Sequence, residues 1–449
     1  MSAYSRALWH PFANPNEVDA AEALHIVSAD GVYVKDDRDR TFLDGNAGGL
    51  WCVNVGHNRA EVKAAIARQL DELGFYQLFN GVSHPRATDL SLKLVELAMP
   101  EQISRVFFTS GGSDSIETAF KLARQYHWIR GDSERKKVIS LKGAYHGSHF
   151  GASTVSGMTG MHRPYWPMVP GAIQVDMPFL YRNPWKCENS ERLVDLCAEQ
   201  LVAEIEYQSP DTIAAILAEP VNGLNLVVPP AGYWPRLREI CDRYGILLIS
   251  DEVITGFGRS GSLFGCRAWG VVPDMMCVAK GLSSAYVPIG AVLVGKRVDD
   301  AWQTVGNDAK AAIYTGVTYA GHPVACAAAL AALAIVEKEK LPENARVQGD
   351  YLLKRLQTFV ERFRSVGDVR GKGLMITLDF VKDKRTREPV DPSYVSQVVA
   401  AGRDHGILVR PYGPRIIISP ALIYNSHHCD KLAAGLERAV AQVEKGASI

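Results

Sequence analysis

What this chain of 449 residues lacks narrows its nature first. It has no excess of either charge, since lysine plus arginine and aspartate plus glutamate both number 49. No basic stripe points to nucleic acid, and no acidic tail points to a disordered partner segment. It has no long apolar run: Val324–Val336 is 13 residues and alanine-rich, too short to span a bilayer. Its eight cysteines show no Cys-x-x-Cys spacing, which suggests free thiols in a reducing compartment. Met1-Ser2-Ala3-Tyr4-Ser5 lacks the charged start and apolar core of a secretory leader. No internal repeat, low-complexity tract or obvious linker interrupts the chain. These absences leave a cytoplasmic globular protein as the expectation, with no nucleic-acid or membrane partner.

Hydrophobic content of 47% and charged content of 22% are ordinary for such a protein. The length exceeds a single typical core, so two domains are expected. Ile26, Tyr33 and Val34 flank Asp30-Gly31, a hairpin signal. Arg59–Leu73 carries apolar residues at helical spacing and ends at Gly74. Strands and helices then alternate: Val106–Thr109, Ser115–Ile129, Val138–Leu141, Arg192–Ile205, Ile213–Leu217 and Tyr233–Tyr244. That alternation predicts an α/β domain whose mostly parallel sheet is covered on both faces. Past Lys340 the rhythm changes. Asp368–Phe380 alternates, Val395–Arg403 reads helical, Ile407–Arg410 and Arg415–Ser419 read as a hairpin, and Lys431–Val443 is a last helix. The division expected is a large domain over 59–325 and a smaller α+β domain over 326–449, to which the segment 1–58 belongs.

Two apolar runs, Ile246–Ile249 and Met275–Ala279, have the length of buried strands, and a charge follows each: Asp251 and Lys280. A lysine finishing a buried strand is costly unless it is neutralised, paired or covalently used. The carboxyl ends of strands in an open parallel sheet line the ligand crevice. An amine and a carboxylate delivered there suit pyridoxal phosphate (PLP), the lysine as Schiff base and Asp251 holding the pyridine nitrogen protonated. Between them, Gly256-Phe257-Gly258-Arg259-Ser260-Gly261 fits the dinucleotide pattern G-x-G-x-x-G. No strand leads directly into it, no amphipathic helix follows, and the next acid, Asp274, comes too early. It reads as a flexible turn. Farther upstream, Phe107-Phe108-Thr109-Ser110-Gly111-Gly112-Ser113 runs a strand through glycines into a helix, a phosphate-binding form or a tight turn capped by Ser113. His146 and His149 lack a third ligand or a supporting carboxylate in view, so no metal is expected.

The whole pattern resembles the class III (omega) aminotransferase signature. The matching parts are the apolar pair before Asp251-Glu252, the glycine-rich segment, Pro273-Asp274, and Lys280 followed by small residues. The resemblance runs from Trp9 to the last helix and implies a fold-type I PLP-dependent transferase. It makes Gly112 and Ser113 phosphate donors, although Asp114-Ser115 stands where Glu-Ala is commoner. Tyr145 is placed flat on the cofactor ring with His146 beside it, Val253 on the opposite face, and Glu219 near Asp251. Thr318 is placed on the phosphate of the partner subunit's cofactor. That implies a homodimer or a dimer of dimers with shared sites.

Ala47–His57 resembles the branch that uses omega-amino acids and pyruvate. Trp51 is then a pocket wall, with Phe12 and Phe79 (the latter from the partner) as further aromatics. Arg410 matches the mobile arginine that pairs with the substrate carboxylate, and Arg415 is its rival. The expected reaction is a ping-pong transfer from an omega-amino acid such as beta-alanine, or a simple amine, to pyruvate, with Lys280 as the proton shuttle. The alternatives are an aminomutase or decarboxylase on the same scaffold, a 2-oxoglutarate-using aminotransferase, and a silent PLP-binding protein.

Overall fold

The computed structural model describes residues 7–20 and 24–446, so the reading of Met1–Ser5 lies outside the described residues. Near the N-terminus, β1 (Ile26–Asp30), β2 (Tyr33–Asp36) and β3 (Thr41–Asp44) form an antiparallel meander. Gly31 sits in the first turn at φ 54°, the left-handed conformation expected of the Asp30-Gly31 signal. The helix read at Arg59–Leu73 spans Ala60–Glu72, with Arg59 as its N-cap.

The central sheet has seven strands: β4 (Ile103–Thr109), β5 (Lys137–Leu141), β6 (Ala172–Val175), β7 (Ile213–Ala218), β8 (Leu247–Asp251), β9 (Met275–Val278) and β10 (Gly290–Gly295). Their order is β4-β10-β9-β8-β7-β5-β6. Every neighbouring pair is parallel except those of β10, which runs antiparallel to both β4 and β9. The sheet is thus mostly parallel, as its unbroken apolar runs imply: every residue of β7, β8 and β9 is buried. Helices Gly112–Ile129, Ser190–Tyr207 and Tyr233–Tyr244 are the crossovers that cover it.

The C-terminal part adds β11 (Val366–Gly371), β12 (Ile376–Asp383), β13 (Glu388–Pro389), β14 (Ile407–Leu408), β15 (Arg410–Tyr412) and β16 (Arg415–Ile418). Four of these make a sheet in the order β11-β12-β16-β15, and β13 pairs with β12. One boundary corrects the reading from sequence. Ile407–Arg410 is not one strand of a hairpin, because the chain changes sheets at Val409. β14 pairs in parallel with β3, and only from Arg410 onward does the chain pair with β16. An apolar run of three residues, Ile407–Val409, carries no mark of such a switch. Val32, Leu43 and Val55 consequently share a core with Leu352, Val395 and Leu432, so the N-terminal strands complete the C-terminal layer.

The Gly256–Gly261 segment is a turn, but a clamped one rather than a flexible one. Phe257 and Arg259 are both fully buried. The Arg259 guanidinium forms no ion pair with a carboxylate among the described residues. It donates to Asn54 Oδ1 at 2.7 Å, to the Leu374 carbonyl at 3.3 Å and to the Pro420 carbonyl. One side chain therefore ties together three distant segments. Arg259→Met should lower the unfolding free energy in urea by about 2 kcal/mol or more, because it leaves buried acceptors unpaired. An exposed flexible turn would respond by no more than about 0.5 kcal/mol, and that result would contradict the clamp.

Candidate active site

β8 and β9 are parallel neighbours, with Asp251 opposite Cys277, so the two strand-end charges emerge at the same edge of the sheet. Glu219 follows β7, the loop after β5 brings Tyr145 and His146, and the turn after β4 brings Gly112 and Ser113. These strand ends enclose a cavity of about 160 Å3 lined by Gly112, Ser113, Tyr145, His146, Glu219, Asp251, Val253 and Lys280, all named from sequence. Gly147, Val221 and Ile254 also line it. The last two follow Glu219 and Asp251 by two and three residues, a spacing that offers no chemical signal of its own.

The polar end of the cavity is a tight network. His146 Nδ1 and Asp251 Oδ2 lie 2.7 Å apart, both side chains buried, and Asp251 Oδ1 accepts from the Val253 N–H at 3.0 Å. His146 Nε2 is buried without a partner among the described residues. Glu219 accepts from the Tyr145 N–H at 3.0 Å, from Asn222 Nδ2 at 2.9 Å and from the Gly223 N–H. Burial pushes the Glu219 carboxyl up to about 7, Asp251 adding to the effect and His146 opposing it. Ligand atoms of His146, Glu219 and Asp251 lie within 4.8 Å of one another, but they are engaged with each other and with backbone N–H groups. His149 does not join them. It turns outward to Asp114 at 3.1 Å.

Lys280 has a left-handed backbone, φ 42°, and its Nζ lies 5.2 Å from the Trp51 ring centroid. No carboxylate among the described residues forms an ion pair with it. Burial pushes its amine below the ordinary lysine value, toward the neutral form. Asn54 braces the backbone that follows, packed so closely that a Cβ at Gly281 would lie 2.3 Å from its Nδ2.

The 18-residue helix Gly112–Ile129 opens at the cavity, so its first N–H groups and dipole face whatever binds there. Gly111, not Ser113, occupies the N-cap position, without a side-chain capping bond. Ser113 Oγ accepts instead from the Ser148 N–H at 3.0 Å. A Cβ at Gly112 would lie 2.9 Å from Val253, so the backbone's approach there requires glycine.

Trp51 is almost wholly buried, with the Arg410 guanidinium carbon 5.7 Å from its ring centroid on a left-handed backbone of φ 62°. Phe12 is exposed, its ring edge-on to Tyr145 at 6.3 Å. Phe79 and Thr318 are exposed and do not line this chain's cavity. They belong to neighbouring surface, since Phe79 packs on Gly316. The two arginines differ. Among the described residues, the Arg410 guanidinium donates only to the Gly49 carbonyl, at 3.3 Å, and no carboxylate pairs with it. Arg415 is held by Asp379 at 2.8 Å and by Asn225 Oδ1 at 3.0 Å.

The donors around this cavity suit a phosphorylated pyridine aldehyde: N–H groups at a helix start, a buried carboxylate backed by histidine, and an unpaired, desolvated amine. Residues 14–440 match the family described as Aminotransferase class-III. An amine transaminase from an uncultivated Pseudomonas species, solved in its PLP-bound form, is 49% identical with a TM-score of 0.95, covering 97% of this chain and 98% of its own. The putrescine–pyruvate aminotransferase of Pseudomonas aeruginosa is 37% identical over 428 residues, 94% of this chain and 91% of its own length. The diaminobutyrate–2-oxoglutarate transaminase of Halomonas elongata is 38% identical over 427 residues, 93% and 90% respectively. The chain belongs to the class III aminotransferases. It is a PLP-dependent transferase of fold-type I. No helix among the described residues is long and apolar enough to cross a membrane.

The raised Glu219 carboxyl has a measurable consequence. Its folded value of about 7 exceeds the usual 4.5, so the folded state holds the proton more tightly. The associated stability is fully present below pH 4.5 and is lost as pH rises through about 7. In cofactor-free protein, the unfolding free energy of wild type minus that of Glu219→Gln should fall across this window and level off above it. A difference that stays flat or rises would contradict the assignment.

Proposed function

We propose that the enzyme moves an amino group from an omega-amino acid or simple amine, such as beta-alanine, to pyruvate in two half-reactions. The observation that carries this reading is Arg410: a guanidinium beside the cavity, against Trp51, with no carboxylate partner among the described residues. Guanidinium binds carboxylate bidentately and stays charged at any working pH. A single such group suits a short monocarboxylic acceptor. Swung aside on its stem, it would leave the apolar wall of Trp51 to a donor without a carboxylate.

Gly112 and Ser113 would hold the cofactor's phosphate, Asp251 its ring nitrogen with His146 behind, and Tyr145 and Val253 its two faces. Pyridoxal phosphate, when bound, supplies the electron sink that lets the bond from hydrogen to the amine-bearing carbon break. Lys280 Nζ, biased toward the neutral form, takes that proton from the donor and returns one to the acceptor in the second half-reaction. Asp251, fixed by His146 and the Val253 N–H, holds its position without reorganising. Trp51 excludes water from one side of Lys280. A second copy of the chain would bring Thr318 to the phosphate and Phe79 to the pocket, as the exposure of both supports, and the protein would work as a homodimer or a dimer of dimers. The division into 59–325 and 326–449, with 1–58 joining the latter, belongs to the same reading.

The transaminase activities that the relatives' names print favour amino transfer over an aminomutase or a decarboxylase, but those names include both pyruvate and 2-oxoglutarate acceptors. Arg410→Ala should raise the KM for pyruvate and slow its half-reaction by roughly tenfold to a hundredfold, the equivalent of about 1.5–3 kcal/mol. The half-reaction with an amine lacking a carboxylate should change far less. Stopped-flow measurement separates the two. Equal losses in both, or a loss seen only in Arg415→Ala, would show that the carboxylate binds elsewhere.

A further inference from the structure

The C-terminal sheet turns a face toward the site that bears several guanidinium groups, and one buried carboxylate decides which of them is free. In this sheet Arg410 stands opposite Ile417, Tyr412 opposite Arg415, and Arg415 opposite Asp379. Antiparallel partners share a face, as do residues two apart on a strand. Arg410, Tyr412, Arg415, Ile417 and Asp379 therefore project together, and Ile417 clusters with Trp51. Arg415 is the diagonal neighbour of Arg410, a Cβ separation of roughly 7–8 Å. The two carboxylates of a five-carbon oxo diacid could bridge guanidinium groups so placed.

Arg415 is not available for that. Asp379, fully buried, accepts from Arg415 Nε at 2.8 Å and from Arg182 Nη1 at 2.9 Å, with Arg370 Nη1 at 3.3 Å. Burial opposes its ionisation, but the hydrogen bond from Arg182 and the charges of Arg415 and Arg370 prevail and hold the carboxyl below its usual value. Arg415 is also tied from its other end. Its Nη1 donates to Asn225, whose own amide donates to the Gly143 carbonyl at 2.8 Å, two residues before Tyr145.

We propose that Asp379 is a specificity-determining residue for the acceptor: by holding Arg415 away from the pocket, it leaves one guanidinium for carboxylate and so selects a monocarboxylic oxo acid over a diacid. This rests on the reading of Arg410 given above. Asp379 is a positioning residue, since it acts through Arg415 and touches no substrate.

The test loads the enzyme with the amino group from a simple amine and follows transfer to pyruvate and to 2-oxoglutarate by stopped flow. The native enzyme should favour pyruvate. Asp379→Asn keeps the shape but removes the charge, and should raise the 2-oxoglutarate-to-pyruvate ratio of rates by about tenfold, the effect of one added charge-assisted bond. In Asp379→Asn combined with Arg415→Leu the ratio should return to the native one. An unchanged ratio in the single variant, or a gain that survives in the double one, would overturn the proposal. Should Asp379→Asn not fold, Arg415→Leu alone decides it: pyruvate transfer within about twofold of native supports sequestration, and a tenfold loss overturns it. No transfer to either acceptor by the native enzyme would overturn the underlying reading together with this one.

Discussion

A lysine amine held in a buried pocket, with no carboxylate among the described residues to pair with, is the constraint on which the rest of the structure depends. Moving an ammonium out of water is expensive, and the protein meets that expense by biasing Lys280 toward its neutral form. To keep the amine there, the backbone accepts a left-handed residue, and neighbouring segments must over-determine it. Asn54 packs on Gly281, and Arg259 donates to Asn54 from below. Trp51 closes the other side from a loop that is itself left-handed at Ala47, Gly48, Gly49 and Trp51. Strained non-glycine backbone, at Ala47, Trp51 and Lys280, is thus gathered on the two loops that meet at the amine.

The parallel pairing of β8 and β9 does the remaining work by delivering acid and amine to one sheet edge without letting them meet. Asp251 is committed to His146 and the Val253 N–H, and Glu219 to backbone and amide donors. Each carboxylate near Lys280 therefore has partners other than the lysine. The arginines show the same logic. Arg410 and Arg415 lie on one face two strand positions apart, yet Asp379 binds one and leaves the other with only a carbonyl.

Much of this was legible in the sequence, for a physical reason. A charge at the end of a short apolar run is conspicuous because burial forbids it without a role, so Asp251 and Lys280 stand out before any fold is known. The helix start at Gly112 was legible from its glycines, although the cap proved to be Gly111 rather than Ser113. What stayed hidden depends on distant segments. Val409 looks like the middle of a strand, and only the competing edges of two sheets make it a junction. Arg259 looks like a turn residue until the carbonyls of Leu374 and Pro420 close on it. Asp379 sits in an alternating strand, where nothing local tells that three arginines converge on it. Thr318 and Phe79 are exposed, and a single chain offers them no site.

The central claim is that Lys280, unpaired and desolvated at the end of β9, is the amine that engages the cofactor. Reduction of the holoenzyme with borohydride followed by peptide mass spectrometry tests it directly. The account predicts that the phosphopyridoxyl group is fixed to Lys280 in native protein, and that Lys280→Ala carries no covalent label and has no transaminase activity. Label on any other lysine of the native enzyme, or turnover by the alanine variant, would contradict it.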